Sequence, residues 1–198
     1  PGGVGTAEEI LYLLGILLHP DNAGMPFPLV MTGPRSAEPY FRRIDDFIGA
    51  TLGAEAQQRY RIIIDQPREV AREVNGQLQD VLAFRKKHGD AFYFNWRLNI
   101  AGQFQHPFTA DHASMRALQI ADDQPGHELA ANLRRAFSGI VAGNVREDTA
   151  ALIERDGPFE IRGSRRIMRL LDDLLAAFVA QHRMKISSAD YEPCYVIK

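Results

Sequence analysis

Residues 1–9, Pro-Gly-Gly-Val-Gly-Thr-Ala-Glu-Glu, run directly into the apolar segment Ile10–Leu14 and decide the fold of the first part of the chain. Three glycines in five positions suit a backbone that bends tightly and approaches a ligand closely. We expect Thr6 to start a helix, so that unpaired N–H groups and the positive end of the helix dipole converge on the glycine turn. Such a helix start binds phosphate. With Glu8 and Glu9 within one turn, the pattern predicts chemistry on a phosphorylated sugar or nucleotide.

A purely structural interpretation of the same residues is a capping box. There the Thr6 side chain accepts a hydrogen bond from the N–H of Glu9, and the Glu9 side chain accepts one from the N–H of Thr6. Glu8 and Glu9 would then only stabilise the helix, by about 1 kcal/mol. A plain cap does not require three preceding glycines, however. The Gly-x-Gly-x-x-Gly pattern of dinucleotide-binding folds differs in spacing, and a Walker loop would need Gly-Lys-Ser/Thr.

The composition limits the classes of protein that the chain can represent. Its 198 residues, 45% of them hydrophobic, suffice for one large or two small domains. A net charge of −2 with mostly dispersed basic residues argues against a nucleic-acid-binding protein. The single cysteine, Cys194, excludes an internal disulfide framework and fits the reducing cytoplasm. The most apolar run, Leu11–Leu18, is too short to span a bilayer.

Helices and strands alternate in the first part of the chain, which predicts an α/β fold. The expected elements are a helix over 7–19, a strand over 28–32, a helix over 36–52, a strand over 60–64 and a helix over 67–82. We expect Ser36 and Gly53 to cap the second helix. Its buried face is expected to consist of Tyr40, Phe41, Ile44, Phe47 and Ile48. This alternation is typical of a parallel sheet covered by helices.

Beyond residue 80 the predicted elements are mainly helices. Apolar residues with helical spacing predict helices over 125–144 and 164–184, and Gly157-Pro158 breaks the chain between them. We place a boundary near residues 76–84. The predicted organisation is therefore an α/β domain over residues 1–78 and a mainly helical domain over residues 79–198.

The motif over residues 1–9 matches Pro-Gly-Gly-x-Gly-Thr-x-x-Glu and resembles the LOG ("Lonely Guy") family of nucleoside-monophosphate phosphoribohydrolases. Four further stretches resemble the bacterial pyrimidine/purine nucleotide 5′-monophosphate nucleosidases, in particular their C-terminal domain: residues 61–65, 94–96, 137–145 and 178–185. The resemblance covers essentially the whole chain. It implies the C-terminal half of a Rossmann-like LOG domain followed by a mainly helical domain. We therefore expect a fragment, incomplete as an enzyme, that lacks an N-terminal segment and the family's upstream arginine.

The resemblance implies hydrolysis of the N-glycosidic bond of nucleoside 5′-monophosphates, which gives a free base and ribose 5-phosphate. Glu9 would stabilise the positive charge that develops on the ribose and act on water, and Glu8 is the second candidate. The implied phosphate-binding residues are Gly2, Gly3, Val4, Gly5 and Thr6. Neither a metal nor a redox cofactor is implied, and the scattered His106, His112 and His127 do not have metal-ligand spacing.

The resemblance also implies partners. Relatives are homo-oligomers, so a dimer or tetramer is expected, and they are regulated by the alarmone (p)ppGpp. Arg85, Lys86 and Lys87 are candidates for binding that anion, or form an ordinary solvated face. Residues 32–35 either touch the base or form a plain strand-to-helix turn. The alternative functions are a non-catalytic nucleotide or cofactor carrier on the same fold, and a regulatory module that senses a charged nucleotide.

Overall fold

The computed structural model describes residues 2–89, 98–184 and 193–198. Within these ranges the α-helices are α1 (Val4–Leu17), α2 (Glu38–Gln57), α3 (Pro67–Lys87), α4 (His112–Arg116), α5 (Gly126–Val145), α6 (Glu147–Asp156) and α7 (Arg165–Ala180). The strands are β1 (Val30–Gly33), β2 (Arg61–Ile64), β3 (Gln119–Ile120), β4 (Phe159–Gly163) and β5 (Tyr195–Ile197). Pro1, the 94–96 stretch and Lys185, all used in the resemblance above, lie outside the described residues.

The first sheet consists of β1 and β2, which pair in parallel with Val30 opposite Arg61 and Gly33 opposite Ile64. Because the strands are parallel, their carboxyl ends meet at the same edge of the sheet. The N–H of Asp65 continues the ladder by donating to the carbonyl of Gly33 at 2.9 Å. The α/β character predicted for the first part of the chain is therefore confirmed.

The second part is mainly helical, as predicted, but it also contains a parallel sheet in the order β3-β4-β5. The central strand β4 carries Phe159 and Ile161, which are both fully buried. Sequence reasoning missed this sheet because its strands contain only two to five residues. Segments of that length do not show a clear alternation of apolar and polar residues.

Two expected helix starts are wrong. Helix α1 begins at Val4 rather than Ala7, its N-cap is Gly3, and no side chain in the described ranges caps it. The capping box of Thr6 and Glu9 is thus absent, because both residues already lie inside the helix. Ser36 is not the cap of α2; it lies in a 3₁₀ turn over Arg35–Ala37 that precedes the helix.

The expected buried face of α2, which comprises Tyr40, Phe41, Ile44, Phe47 and Ile48, is confirmed. Gly53 has a φ of 81°, as a capping glycine would, but the chain resumes a short helical segment to Gln57. Glycine tolerates this left-handed conformation, so the helix kinks there instead of ending.

One core extends through both parts of the chain. Helix α1 packs along α5, and α2 packs against α7. Buried residues of all four helices and of β4 belong to the same apolar cluster. The predicted domain boundary at residues 78/79 falls inside α3, which runs on to Lys87, and the division into two domains stays a prediction. No helix in the described ranges has both the length and the apolarity needed to cross a membrane.

Candidate functional site

The glycine turn before α1 has a backbone shape that side chains would not permit. Gly2 has a φ of 100°, a left-handed value that favours glycine. A Cβ atom at Gly2 would lie 2.8 Å from two ring carbons of Tyr40. Gly3 follows in an extended conformation, and the helix starts at Val4. The turn is therefore built against the Tyr40 ring, and both its conformation and its packing require glycine at position 2.

The start of α1 presents backbone N–H groups without a competing side chain. No side chain in the described part of the chain caps Gly3, and no acidic residue lies in the first helical turn. Gly5 is exposed, and a Cβ atom there would meet no atom of the described residues within 4 Å, apart from its chain neighbours and the backbone of its own helix. The N-terminal amides of a helix and its dipole attract phosphate. The predicted phosphate ligands, Gly2, Gly3, Val4, Gly5 and Thr6, are thus gathered in one turn and the start of one helix.

The two predicted catalytic carboxylates differ in their surroundings. Glu9 is exposed, whereas Glu8 is half-buried. Glu9 follows Gly5 by four positions and Thr6 by three, so it lies on the same side of the helix as those residues. Successive helical residues point about 100° apart, so Glu8 projects in a different direction. Glu9 is therefore the carboxylate that shares a helix face with the exposed part of the glycine turn.

Tyr40 packs against the glycine turn and forms a hydrogen bond with it. Its ring is fully buried, and its hydroxyl donates a hydrogen bond to the Gly3 carbonyl at 2.6 Å. Burial raises the pKa of Tyr40 to about 12, although the contacts with Gly3 and Thr6 oppose that shift. The hydroxyl therefore keeps its proton at neutral pH and acts as a donor. Sequence reasoning assigned Tyr40 to the core alone; the available signal was a hydroxyl on an otherwise apolar helix face.

The carboxyl edge of the first sheet carries a second group of polar residues. Nε of Arg35 lies 3.7 Å from a carboxylate oxygen of Asp65, and both side chains are more than half exposed. Asp65 has a φ of 59°, which is uncommon for a residue other than glycine. Ligands of parallel α/β sheets bind at this edge. The suggested contact of residues 32–35 with the base stays a prediction, and Asp65 was not anticipated.

The basic run at the end of α3 does not form one solvated cluster. Lys86 and Lys87 are exposed, but the Arg85 side chain is buried and only 7% accessible. The helix turns Arg85 towards the same side as Val81, four residues earlier, which is also buried. An anion reaching this helix end from solvent would meet the two lysines.

Two of the histidines considered as metal ligands contact a backbone carbonyl or another ring instead. Nε2 of His112 lies 2.8 Å from the Gly157 carbonyl, and the His127 ring packs edge-on against His19. Among the described residues, no group of three or more histidine, cysteine, aspartate or glutamate side chains could hold a metal ion. The expectation that no metal or cofactor is used stays a prediction.

Comparison with known proteins gives matches along the whole chain. Residues 78–198 match the sequence model of a family described as "Pyrimidine/purine nucleotide monophosphate nucleosidase, C-terminal". Residues 1–74 match a family described as "Possible lysine decarboxylase". The chain is 53% identical over 197 residues to the pyrimidine/purine nucleotide 5′-monophosphate nucleosidases of Escherichia coli strains K12, O6:H1 and O157:H7. These alignments cover 100% of this chain and 43% of each relative, so the chain spans less than half of their length.

Proposed function

Because the chain belongs to the family described as the C-terminal part of pyrimidine/purine nucleotide monophosphate nucleosidases, we propose that it supplies the phosphate-binding turn and a catalytic carboxylate of such an enzyme. The reaction is hydrolysis of the N-glycosidic bond of a nucleoside 5′-monophosphate to a free base and ribose 5-phosphate. The observation that carries the proposal is the start of α1, which no described side chain caps, with an exposed Glu9 on the same helix face.

The substrate phosphate binds at the start of α1. The N–H groups of Gly3, Val4, Gly5 and Thr6 lie before or in the first turn, where the helix provides no acceptor for them. Gly5 leaves open space over this turn. A phosphate group there gains several charge-assisted hydrogen bonds and the favourable end of the helix dipole. These interactions fix the 5′ end of the nucleotide and hence the position of its ribose.

Glu9 acts on the ribose. Cleavage of a glycosidic bond passes through a transition state with positive charge spread over the anomeric carbon and ring oxygen. Glu9 lies about one helical turn, roughly 5 Å along the axis, beyond the phosphate-binding amides. A carboxylate at that position stabilises the developing charge and accepts a proton from the attacking water. Glu8, on a different side of the helix, contacts ribose hydroxyls or plays no direct part.

The test uses the full-length protein and a panel of nucleoside 5′-monophosphates, with release of ribose 5-phosphate as the readout. We expect Glu9→Gln to lower kcat by about 10²–10⁴-fold, the usual contribution of a general acid or base. Glu8→Gln should lower kcat less than Glu9→Gln does, and Glu55→Gln, at an exposed position of α2, is the control that should retain normal activity. Near-normal turnover by a folded Glu9→Gln variant would contradict the catalytic assignment. Nucleotide binding without any turnover by the unmodified protein would favour the carrier function.

The proposal extends to the assembly and location of the full-length protein, which we infer to be a cytoplasmic homo-oligomer. Helix α3 leaves Leu78 41% and Leu82 36% exposed, one turn apart on the same face. Contiguous exposed apolar surface is typical of protein contact sites, and these two neighbouring leucines contribute a small part of such a surface. The free, buried thiol of Cys194 fits a reducing compartment. A monomeric mass from light scattering of the full-length protein would contradict the oligomer.

We also propose that an anionic effector of the (p)ppGpp type binds the exposed Lys86 and Lys87. Lysine ammonium groups are common ligands of phosphate. Titration with the alarmone should show weaker binding after Lys86→Ala and Lys87→Ala combined. A double replacement of the exposed Arg68 and Arg72 on the same helix is the control. Equal binding by both double variants would remove the two lysines from the proposal.

A further inference from the structure

The glycine turn is held by two residues from later parts of the chain, Tyr40 and Arg183. We infer that both are positioning residues, which keep the turn in the shape that binds phosphate. The inference rests on the proposed function, because it concerns the same phosphate site. If so, the segment after α7, which contains Arg183, helps to form the phosphate site, although the amides of that site all belong to the glycine turn and α1.

The Tyr40 hydroxyl fixes the direction of an amide that faces the ligand. It donates to the Gly3 carbonyl at 2.6 Å. The C=O of Gly3 and the N–H of Val4 belong to one planar trans peptide unit and point in opposite directions. Holding the carbonyl towards Tyr40 therefore turns the Val4 N–H away from the core. The buried ring of Tyr40 also packs directly against Gly2.

Arg183 contacts both the glycine turn and Tyr40. Its backbone carbonyl lies 3.0 Å from the position that a Cβ atom of Gly3 would occupy, so the two segments are in close contact. Its guanidinium carbon lies over the Tyr40 ring, 5.6 Å from the centroid. The same guanidinium donates to the Ser36 carbonyl at 3.1 Å. Arg183 thereby joins the end of α7, the segment before α2 and the glycine turn.

The position of Arg183 is itself fixed by α7. Its N–H donates to the Phe178 carbonyl at 2.8 Å, which closes the last turn of the helix. The Phe178 ring packs against the Tyr40 ring with centroids 5.0 Å apart. Stacking over an aromatic face and a directed hydrogen bond both suit a planar guanidinium better than an ammonium group. We therefore expect lysine at position 183 to replace arginine only in part.

The test compares Tyr40→Phe, Arg183→Ala and Arg183→Lys in the full-length protein. The measurements are kcat and KM for a nucleoside 5′-monophosphate, and the dissociation constant of ribose 5-phosphate by calorimetry. We expect Tyr40→Phe and Arg183→Ala to raise KM and the dissociation constant about tenfold, with kcat changed less than about threefold, and Arg183→Lys to fall between. Arg42→Ala, which removes an exposed ion pair with Glu38 on α2, is the control and should change neither constant.

The split between KM and kcat separates positioning from a merely structural role, since partial unfolding lowers the amount of active protein without changing KM. KM and ribose 5-phosphate binding within twofold of the unmodified protein, in folded Tyr40→Phe and Arg183→Lys variants, would overturn the inference. Those two variants keep most of the packing, so the test does not depend on whether Arg183→Ala folds. Weakened ribose 5-phosphate binding in a protein that never releases a base would contradict the proposed function and support the inference.

Discussion

The starts of α1 and α7 show two ways of ordering a helix N-terminus. Helix α7 begins after Ser164, whose hydroxyl accepts a hydrogen bond from the N–H of Ile167 at 3.5 Å. Helix α1 begins after Gly3 and has no capping side chain in the described part of the chain. Its first turn is held instead by Tyr40, from another helix. One helix thus carries its own cap, while the other depends on tertiary contacts.

The difference has a physical reason. A side-chain cap occupies an N-terminal amide, because its oxygen takes the place of any other acceptor. Support through the Gly3 carbonyl leaves the amides of α1 available, since the hydrogen bond is made on the opposite side of the peptide unit. A helix start that is supported through a backbone carbonyl can therefore be ordered, and its N–H groups can still bind an anion. Three predictions test this comparison, from the largest expected effect to the smallest.

The largest effect is expected from Gly5→Ala. Among the described residues, the added methyl meets no atom within 4 Å outside its chain neighbours and the backbone of its own helix. Because Gly5 lies inside a helix, the fold should keep its stability or gain up to about 1 kcal/mol. The same methyl intrudes on the space proposed for the phosphate, and KM for the nucleotide should rise about tenfold, equivalent to ~1.4 kcal/mol. Gly76→Ala on α3, also in open space, is the matched control. Equal KM values for both variants would contradict a phosphate site over Gly5.

A smaller effect is expected from Ser164→Ala, which removes the cap of α7. The free energy of unfolding should fall by about 1 kcal/mol, and Tm by about 2–4 °C for a chain of this size. KM should not change. Ser36→Ala is the control, because Ser36 is exposed and does not cap α2 despite its sequence context. A similar loss of stability in both variants, measured by thermal and urea unfolding, would mean that Ser164 does not act as a cap.

The smallest effect is expected in mildly alkaline solution. The pKa of Tyr40 is raised from 10.0 to about 12, chiefly by burial, so the folded state keeps a proton that the unfolded chain releases. The contribution of this group to stability is complete below about pH 10 and declines as the pH rises towards 12. Urea unfolding of the unmodified protein and Tyr40→Phe between pH 8 and 10.5 should show a steeper decline in the unmodified protein. If the free energy of unfolding depended on pH in the same way in both proteins, a raised pKa of Tyr40 in the folded state would be contradicted.

Local patterns predicted the local features of this molecule. Helical spacing revealed the buried face of α2, and the glycine-rich run marked the turn before α1. The start of α1 was misplaced because Thr6 and Glu9 satisfy the local pattern of a capping box. That pattern does not report that the Thr6 side chain interacts with Tyr40 instead.

The contacts of Tyr40 and Arg183 that support the glycine turn could not be predicted from such patterns. Tyr40 and Gly3 are 37 positions apart, and Arg183 and Ser36 are 147 apart. Contacts of this range depend on how helices pack, which the spacing of apolar residues does not specify. The strands of the second sheet were missed for a different reason, since two to five residues are too few to show a period.

The contact between Arg183 and the segment before α2 also bears on biosynthesis. A ribosome releases the glycine turn and α2 first, and Arg183 follows Ser36 only after 147 further positions. Until then the turn lacks one of its two supports, so nascent chains and products of premature termination before residue 183 should bind ribose 5-phosphate poorly. The order of translation thereby delays the second support of the turn until α7 has been made.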